Sequence, residues 1–147
     1  MRKRIYLAII EKLKELKDEH GAAKIKHFDL WNMNVEFIEL ETAFDMPAVF
    51  IEFEPIAWKT LGNGVQQADV AIKLHVVTRY EGASADGSQF QAEALAYFDL
   101  LDEIHKKLFG LKGEGFNALK RVHSATNHNH EEIIESIEVY STMVIDR

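Results

Sequence analysis

The chain has no cysteine among its 147 residues and only two prolines. Without thiols there is no disulfide framework, no thiolate nucleophile and no cysteine-ligated zinc site. That is compatible with a reducing cytosol. Nowhere does an apolar run approach the roughly 18 residues of a membrane-spanning helix, so no transmembrane segment is expected. Met1-Arg2-Lys3-Arg4 carries the charge of a signal-peptide n-region, but the apolar stretch behind it stops at Ile10, before Glu11 and Lys12. No small-residue cleavage site follows, which argues against export by that route. Positive charge is also in deficit: 17 Lys and Arg against 24 Asp and Glu give a net charge of −7. A general nucleic-acid binder needs a basic face to neutralise phosphates, so no sequence-specific nucleic-acid binding is expected, and without a spanning segment no membrane is expected as a partner.

What is present is apolar mass. Hydrophobic residues make up 47% of the chain, which argues against disorder. The length suits one hydrophobic core rather than two, and no linker or low-complexity tract divides it, so residues 1–147 read as a single domain.

Periodicity then orders the elements. Ile5, Ile9, Leu13 and Leu16 form one face of a helix over residues 2–19, with Gly21 as its stop. Ile25, Phe28 and Leu30 alternate with polar neighbours in a short candidate strand, and residues 32–45 read as an irregular excursion. Residues 47–54, opening on Pro47, are β-branched and aromatic, and their apolar start predicts a strand covered on both faces. Leu61-Gly62-Asn63-Gly64 is a turn signal. Residues 68–80 then alternate strictly, Val70, Ile72, Leu74 and Val76 on one face and Asp69, Lys73, His75 and Arg79 on the other. These two strands are expected to pair antiparallel across about a dozen residues of loop.

A helix over residues 89–109 follows, its stripe formed by Phe90, Ala94, Phe98, Leu101, Ile104 and Leu108, with Asp86 or Ser88 as its cap and Gly110 as its stop. Residues 116–125 and 133–145 read as two last strands, joined by a turn from Asn127 through His128, Asn129, His130 and Glu131 to Glu132. Helices separating antiparallel hairpins indicate an α+β fold.

Few residues stand out as chemistry. His123, His128 and His130, with Glu131 or Glu132, have the donor types of a transition-metal site, but H-x-H in a polar turn lacks the helical spacing of a metalloprotease. Glu52, Glu54 and Asp69 could face one another as paired carboxylates, although Glu52 and Glu54 more simply mark the wetter face of a strand. The serines carry no G-x-S-x-G elbow, and neither glycine cluster has the Lys-Ser/Thr of a phosphate loop. Lys12, Lys14 and Lys17 are offset by Glu11, Glu15, Asp18 and Glu19. Trp58 and Leu61, large apolar residues beside a glycine turn, have two readings: a contact surface, or a return of Trp58 onto the second helix.

Taken in order, these segments resemble the phage tail-terminator and tail-completion proteins. The resemblance is carried by the N-terminal helix, then Pro47-Ala48-Val49-Phe50-Ile51-Glu52, the hairpin segment from Trp58 to Gln67, and Val70-Ala71-Ile72-Lys73-Leu74-His75-Val76-Val77-Thr78-Arg79. It continues through Ile104-His105-Lys106-Lys107-Leu108-Phe109-Gly110, Arg121-Val122-His123 and Ile137-Glu138-Val139-Tyr140-Ser141-Thr142-Met143-Val144-Ile145. It covers most of the chain, best from Pro47 onward, and residues 32–45 depart from it by their length. It rests on strand and hydrophobic pattern rather than on a catalytic signature.

The resemblance implies a mostly antiparallel sheet of about four to five strands with two helices on it. It implies a virion structural protein with no active site, metal or cofactor, forming a homo-oligomeric ring, expected as a hexamer. Such a ring caps the tail tube and meets the head–tail connector, after assembly in the bacterial cytoplasm. A ring needs a heterologous interface, two different patches that meet. Exposure logic nominates Trp58, Leu61, Val65 and, across the hairpin, Arg79 and Tyr80. Two other functions are set beside this one: a bacterial protein–protein interaction module using the same hairpin, and a small metal-dependent enzyme built on His128 and His130.

Overall fold

Strict alternation over so long a segment can bury one face of a strand along its whole length, and the longest strand of the structure is built from that segment. The structure, a computed structural model, describes residues 1–32, 44–79, 84–128 and 132–147. Its elements are α1 (Arg2–Leu13), β1 (His27–Leu30), β2 (Ala48–Phe53), β3 (Lys59–Gly62), β4 (Val65–Arg79), α2 (Gln91–Ala94), α3 (Ala96–Leu108), β5 (Lys120–Asn127) and β6 (Ile133–Asp146). The fold is α+β. Six strands form one sheet in the order β1-β2-β4-β6-β5, with β3 alongside β4. Among the described residues only β1 and β2 pair parallel; the other pairings are antiparallel.

The sixth strand arises inside the expected loop. Asn63 and Gly64 both have positive φ, 51° and 76°, the requirement of a type I′ two-residue turn. Gly62 pairs directly with Val65 across that turn, so β3 folds straight back on the start of β4. β4 accordingly begins at Val65, before the expected Ala68.

The two faces of the sheet carry different cores. On the helix face, Val49 and Ile51 of β2 and Val70, Ile72, Leu74 and Val76 of β4 pack with Ile5, Ile9 and Leu13 of α1 and Ile104 and Leu108 of α3. Each such side chain contributes about 1.5–3 kcal/mol relative to remaining in water. On the opposite face, Ala48, Phe50, Val77 and Ile133 form a smaller cluster under Trp31, Phe44 and Met46. β2 is thus covered on both faces, as its unbroken apolar run indicates.

Both helices differ from their sequence patterns. α1 ends at Leu13, not near Glu19. The amides of Glu15 and Leu16 bond to carbonyls three residues back, tightening the chain out of the helix. The Asp18 carboxylate then accepts the amides of His20 and Ala22 at 2.8 and 2.9 Å, an alternative to helical bonding. Gly21 serves that turn, with φ 78°. The second helix breaks at Leu95 into α2 and α3, and the Phe98 amide bonds to the Leu95 carbonyl, three residues back. The break re-phases the helix. Leu100 takes a core position while Phe90 and Phe98, expected inside, are exposed. Gly110 ends α3 with φ 81°, as expected.

Residues 113–116 form a tight reverse turn; Phe116, the expected strand start, makes an isolated antiparallel bridge to Val144 of β6, and the continuous strand β5 begins at Lys120. No helix among the described residues is long and apolar enough to cross a membrane.

Candidate functional site

The β3–β4 hairpin brings together only part of the expected contact surface. All four β3 residues are exposed, and Leu61 keeps 50% of its surface in solvent. Val65, opposite Gly62, is half-buried. Trp58 packs against the helix-face core instead of standing free at the tip. Arg79 is exposed but occupies the far end of β4, fourteen rises of about 3.3 Å, or roughly 46 Å, from Val65. One patch therefore cannot join Arg79 to Leu61. Tyr80 lies outside the described residues.

The polar clusters are also redistributed. His123 lies on the exposed strand β5 and His128 just beyond it, while His130 and Glu131 fall outside the described residues. Among the described residues no group of three or more His, Cys, Asp or Glu side chains is placed to hold a metal ion. Glu52, Glu54 and Asp69 do not face one another. Glu54 bonds Lys73 at 2.5 Å, Glu52 bonds His75, and Asp69 is exposed opposite Met143. The Glu54 contact raises the affinity of the Lys73 ammonium for its proton above the ordinary lysine value.

The densest polar arrangement is one the sequence pattern places in solvent. His75, expected on the wet face of β4, is 4% exposed. Its Nδ1 lies 2.7 Å from Glu135 Oε1 on β6, and its Nε2 lies 2.7 Å from Glu52 Oε2 on β2. The three central strands hold these groups on one face in a diagonal row, Glu52 lying opposite Lys73 and Glu135 opposite Val77. Trp31 stacks on the imidazole, ring centroids 3.8 Å apart and planes 3° from parallel. Asn127 of β5 donates its amide to the second oxygen of Glu135 at 2.8 Å.

A neutral imidazole carries one N–H, and a carboxylate carries none. Two short N···O contacts therefore require two protons among the three groups: an imidazolium between two carboxylates, or a neutral imidazole with one carboxylic acid. Either way the row has a net charge of −1. Glu135 is 2% exposed, so its partners supply what water does not.

This row is not arranged as a nucleophile with its base. The buried hydroxyls of Thr78 and Ser136 have no hydrogen-bond partner among the described residues, yet their strand parity directs them to the helix face, opposite His75. What the row does is clamp β2, β4 and β6 together and seat Trp31 on the sheet.

On the helix face, Glu138 is a second buried carboxylate. It accepts the Ser124 hydroxyl and lies 3.8 Å from Arg121 Nη1. The neighbouring Tyr140 is fully buried, its hydroxyl 3.2 Å from His105 Nδ1. Burial foremost, with the Glu138 charge, holds its phenol protonated well beyond the ordinary tyrosine range.

No known family model matches the chain, and no curated protein sequence matches it either.

Proposed function

We propose that the protein is a virion structural protein of a phage or prophage. It forms a ring of identical subunits, six in number, that terminates or completes the tail tube and contacts the head–tail connector. Its partners are its own copies and the tail-tube and connector proteins, and it carries no catalysis, metal or cofactor. It assembles in the bacterial cytoplasm and ends in the virion tail.

The observation that carries this reading is the β3–β4 hairpin. A type I′ turn holds a fully exposed strand with a half-exposed Leu61 at the end of the sheet. Such a strand presents unpaired backbone groups and apolar surface, which suits binding rather than catalysis. The α+β sheet with its helices on one face agrees with the fold that the sequence resemblance implies. A bacterial interaction module would use the same hairpin for a different partner.

Gene context and assembly separate the two. The ring reading expects tail and connector genes beside this one, and closed rings by negative-stain microscopy of the purified protein. Neighbouring genes without any tail or capsid function, with no rings formed, favour the interaction module.

A further inference from the structure

We propose that β1 of one copy and the second half of β5 of the next pair antiparallel, joining the subunits through a continuous sheet. The proposal rests on the ring reading above and names its interface.

Among the described residues β1 pairs with β2 alone and β5 with β6 alone. Asp29 and Leu30 of β1 are exposed, as is every β5 residue except Asn127. Proteins blunt such edges with charge and bulges. On β5 both devices lie in the first half: Lys120, Arg121 and the register shift between Arg121 and His123. The second half, Ser124-Ala125-Thr126-Asn127, pairs regularly with β6 and bears neither device. β1, His27–Leu30, has the same length of four residues.

The registers set these two edges level. Leu30 stands beside Ile51, Ile51 opposite Leu74, Leu74 opposite Glu138 and Glu138 opposite Ser124. His27 leads in the same way through Ala48, Val77 and Glu135 to Asn127. A rotation about an axis along the strands therefore carries one edge to the other without a shift, and the contact closes into a ring. An offset would wind it into a filament. Direction agrees as well. β1 runs with β2, and the three antiparallel pairings from β2 to β5 leave β5 running opposite to β1. The join uses two different patches of each subunit, as a closed ring requires.

The faces also match. Phe28 packs against the helix-face core and Leu30 shares its parity, while Ser124 and Thr126 lie opposite Glu138 and Ser136 on that same face. Leu30, 52% exposed, comes to stand beside Ser124 at a groove of about 400 Å3 lined in part by Phe98 and Leu101 of α3. Phe98 is itself half-exposed, so the join covers apolar surface of both subunits. On the other face Asp29, the one acid of β1, meets Ala125 with His123 diagonally across, and β5 has no acid to repel it. With the axis along the strands, the β3–β4 hairpin stands at one rim of the ring, free for the tail-tube or connector protein.

The cysteine-free chain makes the test direct. Full-length protein carrying both Asp29→Cys and Ala125→Cys is oxidised mildly and run on a non-reducing gel. Within one subunit the two positions are four strand spacings apart, about 19 Å, too far for a disulfide. The variant is compared with each single variant and with a Leu61→Cys/Ala125→Cys control that reports the β3 edge. Light scattering on the parent and the reduced variants gives the oligomeric state independently. The proposal expects a ladder of covalent multimers from the Asp29/Ala125 pair alone, lost on reduction. Oligomers without that ladder would overturn the edge pairing and leave the ring reading standing. Monomers without a ladder would overturn both. A ladder from the Leu61 control would overturn β1 as the occupant.

Discussion

His75 and Glu135 lie sixty residues apart in the chain, yet Nδ1 of one sits 2.7 Å from Oε1 of the other, both side chains almost wholly buried. Removing one member of such a pair strands the other. His75→Ala leaves the Glu135 carboxylate with Asn127 but without its imidazole, and is expected to cost about 3–5 kcal/mol in urea denaturation. Combining His75→Leu with Glu135→Leu removes both groups and should cost less than the sum of the two single changes. An additive result would mean that the pair is not coupled in the folded protein.

The break at Leu95 makes opposite claims about two neighbouring apolar residues. Phe98 is half-exposed and Ile104 is fully buried. Ile104→Ala is expected to lower the stability of the folded chain by about 2–5 kcal/mol. Phe98→Ala should fall within about 0.5 kcal/mol, as exposed substitutions do. Equal losses would restore the uninterrupted helix that the sequence pattern suggests.

A Cβ added at Gly113 would lie 2.6 Å from Cε1 of Phe116, whose ring is buried against the sheet. Gly113→Ala is therefore expected to destabilise by about 1–3 kcal/mol, the usual range for overpacking. Phe116→Leu in the same chain should recover part of the loss attributable to Gly113→Ala. No recovery would place the strain elsewhere.

The Asp18 carboxyl is held below the ordinary carboxylate range, first by the Ala22 amide and then by the His20 amide and the charges of Lys26 and Lys24. A folded-state value below the unfolded one adds stability at pH values above the unfolded value. That stability is lost as pH falls through the folded value. Asp18→Ala should therefore be less stable than the parent at neutral pH, and the difference should shrink as the solution is acidified. Denaturation midpoints over a pH series test this; a gap that stays constant into acid would mean that the ionised carboxylate contributes nothing to the turn.

The strand framework was legible because burial on one face of a sheet writes period two into the chain. Val70, Ile72, Leu74 and Val76 show it, and all four are buried. The same rule misplaced His75, because alternation registers polarity and not whether a polar group has a partner across the sheet. The available sign was indirect: a charged Glu135 set inside the apolar run Ile133-Ile134-Glu135-Ser136-Ile137, matching a histidine inside another. β3 was hidden because it is short and exposed on every residue, so no face is patterned. Of the expected contact residues, Leu61 keeps its place at the hairpin. Trp58 turned to the core and Arg79 lies at the other end of β4, because spacing along a strand does not say which residues share an end of it.

The central claim is that identical subunits close into a ring. Light scattering of the full-length protein over a wide concentration range tests it most directly. The expected result is a species of six times the subunit mass. A single monomer mass at every concentration would contradict the claim.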